Sequence, residues 1–267
     1  MTTRASLQAI WAYRGFILGS VRRELQTRYA KSQLGLAWAL IHPLALIVLY
    51  TLVFTNLMRP MLSAGHDSRF AYSVYLCAGL LTWMLFSELL NRSVGLFVGH
   101  ANLLKKMNFP RLTLPVIVVL SSLLHYVIIM LLFLGFLLLT GGFPGLVVIA
   151  AAPVVGVLIA FAIGLGLLAG IINVFYRDIE QSTAMILQFW FWATPIVYLP
   201  DILPPWFAQL LAWNPIMPIV VAMQTIFLHQ RLPEWSSLLY PAVLAGIFLV
   251  LSMRAYTRLS GEIVDEL

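Results

Sequence analysis

Residues 112–176 read LTLPVIVVLSSLLHYVIIMLLFLGFLLLTGGFPGLVVIAAAPVVGVLIAFAIGLGLLAGIINVFY, and these 65 residues include no Asp, Glu, Lys or Arg. A water-soluble domain covers its surface with charged side chains, so a segment of this length without any is stable only in lipid. The cluster GGFPG, residues 141–145, interrupts the apolar run and is typical of a tight turn. The stretch therefore predicts two membrane-spanning helices joined by a hairpin.

The rest of the chain has the composition of a polytopic membrane protein. Hydrophobic residues make up 61% of its 267 residues and charged residues 10%, with a mean hydropathy of +0.94. A helix needs about 20 apolar residues to cross a bilayer. Six stretches are that long, and the predicted fold is an all-α bundle of six transmembrane helices at roughly 36–57, 71–91, 112–140, 146–173, 181–199 and 238–256.

The distribution of positive charge predicts the orientation of this bundle. With six crossings, thirteen of the sixteen lysines and arginines fall on one side, and only Arg59, Arg69 and Arg231 fall on the other. The side richer in Lys and Arg faces the cytoplasm. Both termini are therefore expected to be cytoplasmic.

Two segments outside the spans have patterns of their own. Residues 6–30 combine apolar residues at helical spacing with several arginines, which fits an amphipathic helix in the cytoplasmic headgroup layer. An ordinary basic flank would explain the charge but not the apolar period. Residues 200–235 are too apolar for an aqueous loop and are interrupted by Pro204, Pro205, Pro215 and Pro218, so short re-entrant helices are expected between spans five and six.

Several classes of chemistry lack their residues in this sequence. The five histidines are scattered, no phosphate-binding loop occurs, and no catalytic residue or metal ligand set is predicted. Ion-coupled carriers place carboxylates near the bilayer midplane. The only acidic residue within the predicted spans is Glu88, and its spacing from Arg92 predicts a structural ion pair. A transporter of this kind must take its energy from a partner.

Two further patterns are compatible with transport. Residues 100–111 form a short, basic, amphipathic island that could dock into a groove on a soluble protein or be a plain basic loop. Aromatic residues form a stripe in span two and a run in span five, which suits a channel that stacks on sugar rings. Packing and interfacial belts are the alternative explanation for aromatic residues in a membrane.

Residues 22–44 read RRELQTRYAKSQLGLAWALIHPL, which resembles the N-terminal motif R-D-L-x-x-R-Y-x-x-S-x-L-G-x-x-W-x-x-x-x-P-L of the ABC-2 type polysaccharide export permeases. Glu24 stands where that motif has Asp. The segments KKMNFPRLTLP at 105–115 and FYRDI at 175–179, and the pairs Thr194-Pro195 and Asn214-Pro215, resemble later landmarks of the family in the same order. The resemblance covers nearly the whole chain.

The resemblance implies a non-enzymatic permease. It would form a homodimer joined to two copies of a separate ATPase subunit, which would bind ATP and magnesium, so no cofactor is expected in this chain. The substrate would be a lipid-linked polysaccharide, with O antigen as the first expectation, exported across the bacterial inner membrane. The implied organisation is one domain, 1–267: an interface helix region at 1–35, the bundle at 36–257 and a cytoplasmic tail at 258–267.

Membrane lipids are expected as neighbours and nucleic acid is not. The alternatives are an ABC-2 drug or lipid exporter and, in a different class, a membrane-embedded glycan-modifying enzyme or scaffold.

Three groups of site residues follow from the patterns and the resemblance. The ATPase-coupling group is Asn102, Leu103, Leu104, Lys105, Lys106, Met107, Phe109, Pro110, Arg177 and Asp178. The interface and entrance group is Arg23, Glu24, Arg28, Tyr29 and Trp38. The glycan-pathway group is Tyr72, Tyr75, Trp83, Phe86, Phe189, Trp190 and Trp192.

Overall fold

The computed structural model describes residues 11–29, 41, 45, 48, 49, 70–106, 113–200 and 204–267, with the backbone alone at 25, 27–29, 106, 207 and 208. Within these ranges every regular element is a helix. The α-helices are α1 Arg14–Tyr29, α2 Ala71–Val94, α3 Leu96–Gly99, α4 Ala101–Lys106, α5 Thr113–Thr140, α6 Ala151–Phe175, α7 Asp178–Trp192, α8 Pro205–Leu211, α9 Ile216–Leu228 and α10 Leu239–Glu266.

In the described part of the chain, four segments are long and apolar enough to cross a membrane, so the protein is a helical membrane protein. They are α2, α5, α6 with the 3-10 turn Gly145–Ala150 before it, and α10 with the 3-10 turn Trp235–Leu238 before it. They match the predicted second, third, fourth and sixth spans. The predicted tail continues α10 as far as Glu266. The predicted first span, residues 36–57, lies outside the described residues apart from positions 41, 45, 48 and 49.

The predicted fifth span differs from the structure. Helix α7 has 15 residues and ends at Trp192, and residues 193–200 continue as turns. At 1.5 Å per residue, α7 is about 22 Å long, which is less than the roughly 30 Å of a bilayer core. Pro195 cannot donate a helical hydrogen bond, and the carbonyl groups around it are bound by side chains of other helices, as described below.

Helix α2 lies at the centre of the described bundle. It has the largest buried share of the four long helices and packs against α5, α6, α7 and α9, while α6 also packs against α10. Glycine lets α2 and α6 approach closely: a Cβ at Gly166 would lie 2.6 Å from the Ser93 Cβ, and one at Gly170 would lie 2.5 Å from the Ser93 carbonyl oxygen. Gly166 and Gly170 form a GxxxG pair, a pattern that allows close packing of helices in membranes.

The hairpin between α5 and the next span is also as predicted. Gly141 and Gly145 have φ angles of 75° and 62°, a left-handed conformation that glycine adopts without a steric penalty.

Helix α1 packs against α5, where its Ile17 and Val21 form an apolar cluster with Ile117. Ile17 and Val21 are buried, whereas Trp11 and Leu18 are exposed.

Candidate functional site

An ionic cluster joins α1, α2 and α5 where α2 ends. It consists of Glu24, Glu88, Arg92, Ser122 and His125. The Arg92 guanidinium forms a salt bridge with Glu24, lies 3.6 Å from Glu88 Oε1, and donates a hydrogen bond of 3.0 Å to Ser122 Oγ. Glu88 Oε2 lies 3.2 Å from His125 Nδ1. The predicted Glu88–Arg92 pair is thus confirmed, and it is part of a larger set of charges.

The cluster is only partly accessible to solvent. Side-chain exposure is 16% for His125, 17% for Glu88, 23% for Arg92 and 37% for Glu24. Coulomb interactions are stronger in such surroundings than in water, because the effective dielectric constant is lower. The positions of α1, α2 and α5 are therefore coupled electrostatically.

The end of α6 and the start of α7 contact the same end of α2. The buried Asn173 side chain donates from Nδ2 to the Val94 carbonyl oxygen (3.3 Å), and its Oδ1 accepts a hydrogen bond from the Glu180 backbone N–H (3.0 Å). A Cβ at Gly95 would lie 3.1 Å from Glu180 Oε1. Residues 92–95 thus contact α1 through Glu24 and the 175–180 region through Asn173 and Glu180, and they lead directly into α3.

A cavity of about 630 Å³ lies beside the cluster. Its walls come from α1, α2, α5, the α3–α4 segment and Glu180 of α7. The lining includes the apolar residues Phe16, Leu103 and Leu114 and the charged residues Arg92 and Glu24. The cavity separates part of α1 from the bundle.

The predicted coupling residues include both exposed and buried side chains. Asn102, Lys105, Arg177 and Asp178 are exposed, Leu103 is half-buried, and Leu104 is buried in the core. Only the backbone is described for Lys106, and Met107, Phe109 and Pro110 lie outside the described residues.

The predicted interface residues are described in part. Arg23 is exposed and donates a hydrogen bond to Ser20, while Glu24 is half-buried in the ionic cluster. Arg28 and Tyr29 are described by their backbone only, and Trp38 lies outside the described residues.

Most of the predicted pathway aromatics pack inside the single chain. Phe86 is fully buried, and its ring centroid lies 5.3 Å from those of Trp83 and Trp190 and 6.0 Å from that of Phe161. By contrast, Phe189 and Trp192 on α7 are 71% and 60% exposed. Among the seven predicted aromatic residues, these two have exposed side chains in the single chain.

The two tyrosines of the span-two stripe bind the segment that follows α7. Tyr72 donates from its hydroxyl to the Val197 carbonyl oxygen, and the Tyr75 hydroxyl lies 3.0 Å from the Pro195 carbonyl oxygen and 2.9 Å from that of Tyr198. Both rings are buried. Their hydroxyls thus satisfy carbonyl groups that the broken helix leaves without a helical partner.

Asn214 holds the same segment from the other side, and sequence reasoning missed it as a site residue. Its Nδ2 donates to the Ala193 carbonyl oxygen (2.9 Å) and to Thr194 Oγ1 (3.0 Å). Its Oδ1 accepts from Trp190 Nε1 (2.8 Å) and from the Ile216 N–H (3.0 Å). Gln224 adds a bond of 3.2 Å to the Pro195 carbonyl oxygen. The available signal was an amide side chain in an apolar, proline-rich region.

The helices of spanning length, and the buried side chains that hold the broken end of α7, define a polytopic helical membrane protein. Within that class, the profile described as ABC-2 type transporter matches residues 17–228, and the chain belongs to this family.

Named relatives match nearly the full length. The chain is 29% identical to an "O-antigen export system permease protein RfbA" of Myxococcus xanthus, over 91% of this chain and 92% of the relative. It is 28% identical to a Klebsiella pneumoniae protein of the same name, over 91% of each chain. It is 22% identical to the "Polysialic acid transport protein KpsM" of Escherichia coli, over 88% of this chain and 89% of the relative.

Proposed function

We propose that this chain is the membrane permease subunit of an ATP-driven exporter that moves a lipid-linked polysaccharide, with O antigen as the first candidate, from the cytoplasm to the periplasm. The observation that carries this proposal is the similarity, along nearly the whole chain, to permeases named for O-antigen export. The similarity to a polysialic acid transport protein supports a polysaccharide as the substrate class. A drug or lipid as substrate is the alternative within the family.

The energy source in this proposal is a separate ATPase subunit that binds ATP and magnesium. Two copies of it would join a homodimer of this chain at the cytoplasmic surface. The exposure of Asn102, Lys105, Arg177 and Asp178 supports a docking surface there. Helix-in-groove docking fits α4, whose Leu104 anchors it to the bundle while Lys105 is free of the core.

The proposed topology has six spans in the inner membrane, the fifth made of α7 together with the irregular segment 193–199, and both termini would lie in the cytoplasm. The interface helix region 1–35, the bundle 36–257 and the tail 258–267 would form one domain. α8 and α9, of 7 and 13 residues, are too short to cross a bilayer alone and fit re-entrant helices on the outer side. Buried side chains bind the backbone of the 193–198 segment. This fits the rule that irregular backbone at membrane depth is shielded by protein.

The glycan pathway would run along α7. Phe189 and Trp192 are exposed and would stack on sugar rings. Tyr72, Tyr75, Trp83, Phe86 and Trp190 would instead support α7 or would need to be uncovered during transport. Aromatic stacking suits a polymer that must slide, because it requires no fixed hydrogen-bond register.

The function is tested by removing the protein from its source bacterium. We expect long glycan to disappear from the cell surface and to accumulate, still lipid-linked, inside the cell. Complementation with the wild-type chain is the control, and an inactive partner ATPase should give the same result. Normal surface glycan in the deletion strain would exclude the proposal. Reconstituted vesicles separate the substrates: lipid-linked glycan, and not a drug, should stimulate ATP hydrolysis.

The proposed docking surface is tested by charge reversal. Lys105→Glu should lower recovery of the ATPase subunit in a pull-down, because a basic contact becomes acidic. Arg231→Glu is the matched control, since Arg231 is also exposed but lies on the side predicted to face outward. Equal recovery for the two variants would remove Lys105 from the docking surface.

A further inference from the structure

We propose that Arg92 is a positioning residue that transmits movement of α1 to the membrane helices by exchanging its partner between Glu24 and Glu88. The proposal rests on the proposed ATP-driven function, since it concerns how the work of the partner subunit reaches the bundle. Neither Arg92 nor Glu88 is needed for docking or for contact with the polymer in this scheme.

The first support is the placement of two carboxylates around one guanidinium. Arg92 pairs with Glu24 on α1 and has Glu88, one turn back on its own helix, 3.6 Å away. An arginine carries five N–H donors, so it can hold one carboxylate while it gains or loses another. If α1 moves away, Arg92 keeps a partner on α2. The cluster thus has two arrangements in which no partly buried guanidinium is left unpaired, which is what a two-state element requires.

The second support is the position of Glu88 between two helices. Its Oε1 lies 3.6 Å from Arg92 on its own helix, and its Oε2 lies 3.2 Å from His125 Nδ1 on α5. The α1 position is therefore linked through Glu88 to His125 on α5, whereas Ser122 on the same helix holds Arg92 in place.

The third support is the contact that the described side chains of α1 make with the bundle. Ile17 and Val21 are buried in a small cluster with Ile117, apart from the main core, and Phe16 packs against both clusters. The adjacent cavity of about 630 Å³ lies between α1 and the bundle. Beside these apolar contacts, the Glu24–Arg92 ion pair fixes the position of α1 against α2.

Other charged groups surround the cluster. Arg23 of α1, Glu180 of α7 and His100 between α3 and α4 line the same cavity. They stay unchanged in the experiment, so that an effect can be attributed to the Glu24–Arg92 pair.

The test is a double-mutant cycle in the complete complex with its ATPase, using Glu24→Gln, Arg92→Gln and the double variant. Three quantities are measured: recovery of the assembled complex, ATP hydrolysis, and glycan exported per ATP. We expect each single variant to assemble and hydrolyse ATP, but to export about fivefold less glycan per ATP or worse, the lower end of typical coupling between linked sites. The double variant should be no worse than Arg92→Gln alone, because both changes break one link.

A charge exchange and a matched control complete the design. Glu24→Arg combined with Arg92→Glu restores an opposite-charge pair and should regain part of the export lost in either single reversal. Glu262→Gln changes an exposed carboxylate on the same side of the protein and should have no effect.

Three results would overturn the proposal. They are unchanged export per ATP, additive losses in the double variant, or losses that match a fall in assembled complex. If the wild-type complex itself exports no glycan, the proposed function fails as well. If the wild type exports and the variants match it, only the role of Arg92 is wrong.

Discussion

At the scale of single residues, Asn214 is the strongest prediction. All of its side-chain hydrogen-bonding capacity is used toward four groups, and the residue is 8% exposed. Asn214→Asp removes both donors and places a carboxylate beside the Ala193 carbonyl oxygen. Leaving a buried polar group unsatisfied costs about 1–3 kcal/mol, and more with a charge. We expect a clear loss of thermal stability in detergent. Asn102→Asp, at an exposed position, should stay near the wild type; equal loss in both variants would contradict the assignment.

Tyr72 and Tyr75 show how much of such a site can be predicted from the sequence. Helical spacing correctly predicts that Tyr72 and Tyr75 share one face of α2. It cannot reveal that this face meets the 193–198 segment, because the bonded carbonyls are 120 to 125 residues away along the chain. Periodicity identifies neighbours on one helix, whereas the opposing surface depends on how the helices assemble. The same holds for the ionic cluster. The Glu88–Arg92 pair could be predicted from its spacing on one helix, whereas the contacts of Glu24 and His125 with these residues could not.

At the scale of elements, the contact between α2 and α6 gives a prediction with a built-in control. Gly170→Ala would place a methyl group 2.5 Å from the Ser93 carbonyl oxygen, an atom of the backbone that cannot move away cheaply. Overpacking of this kind costs about 1–3 kcal/mol or more. Gly156→Ala lies on the same helix with nothing within 4 Å of the added methyl, so it should be neutral. The fraction of monodisperse protein after heating measures both, and the idea fails if they behave alike.

Hydropathy predicted four long helices well because lipid imposes a length on any spanning helix. It did not predict that α7 ends at Trp192. Hydropathy reports which residues can enter lipid, and residues 193–199 remain apolar enough to do so, but their backbone is satisfied by Tyr75, Asn214 and Gln224 instead of by a helix. Pro195 was the only local signal for the break.

At the scale of the whole molecule, α7 stands out among the described helices because little of its surface is covered by its own chain. Leu187 is its single buried residue, although the helix packs on α2 and α6. A second copy of the chain, lipid or the transported polymer must therefore cover the rest. Two aromatic rings on this uncovered surface, Phe189 and Trp192, are the residues that a sliding glycan could contact without unfolding the bundle.

The predicted consequence is a separation of export from assembly between two aromatic sets. Phe189→Ala and Trp192→Ala should lower glycan export per folded protein and leave the yield of folded complex unchanged, because exposed rings contribute little to the core. Phe86→Ala removes a fully buried ring and should lower the yield instead, at a cost of about 3–5 kcal/mol. Export is measured relative to folded protein in reconstituted vesicles. If the α7 variants lose folded dimer while export per dimer is normal, these rings belong to the interface between two copies, and the pathway must lie elsewhere.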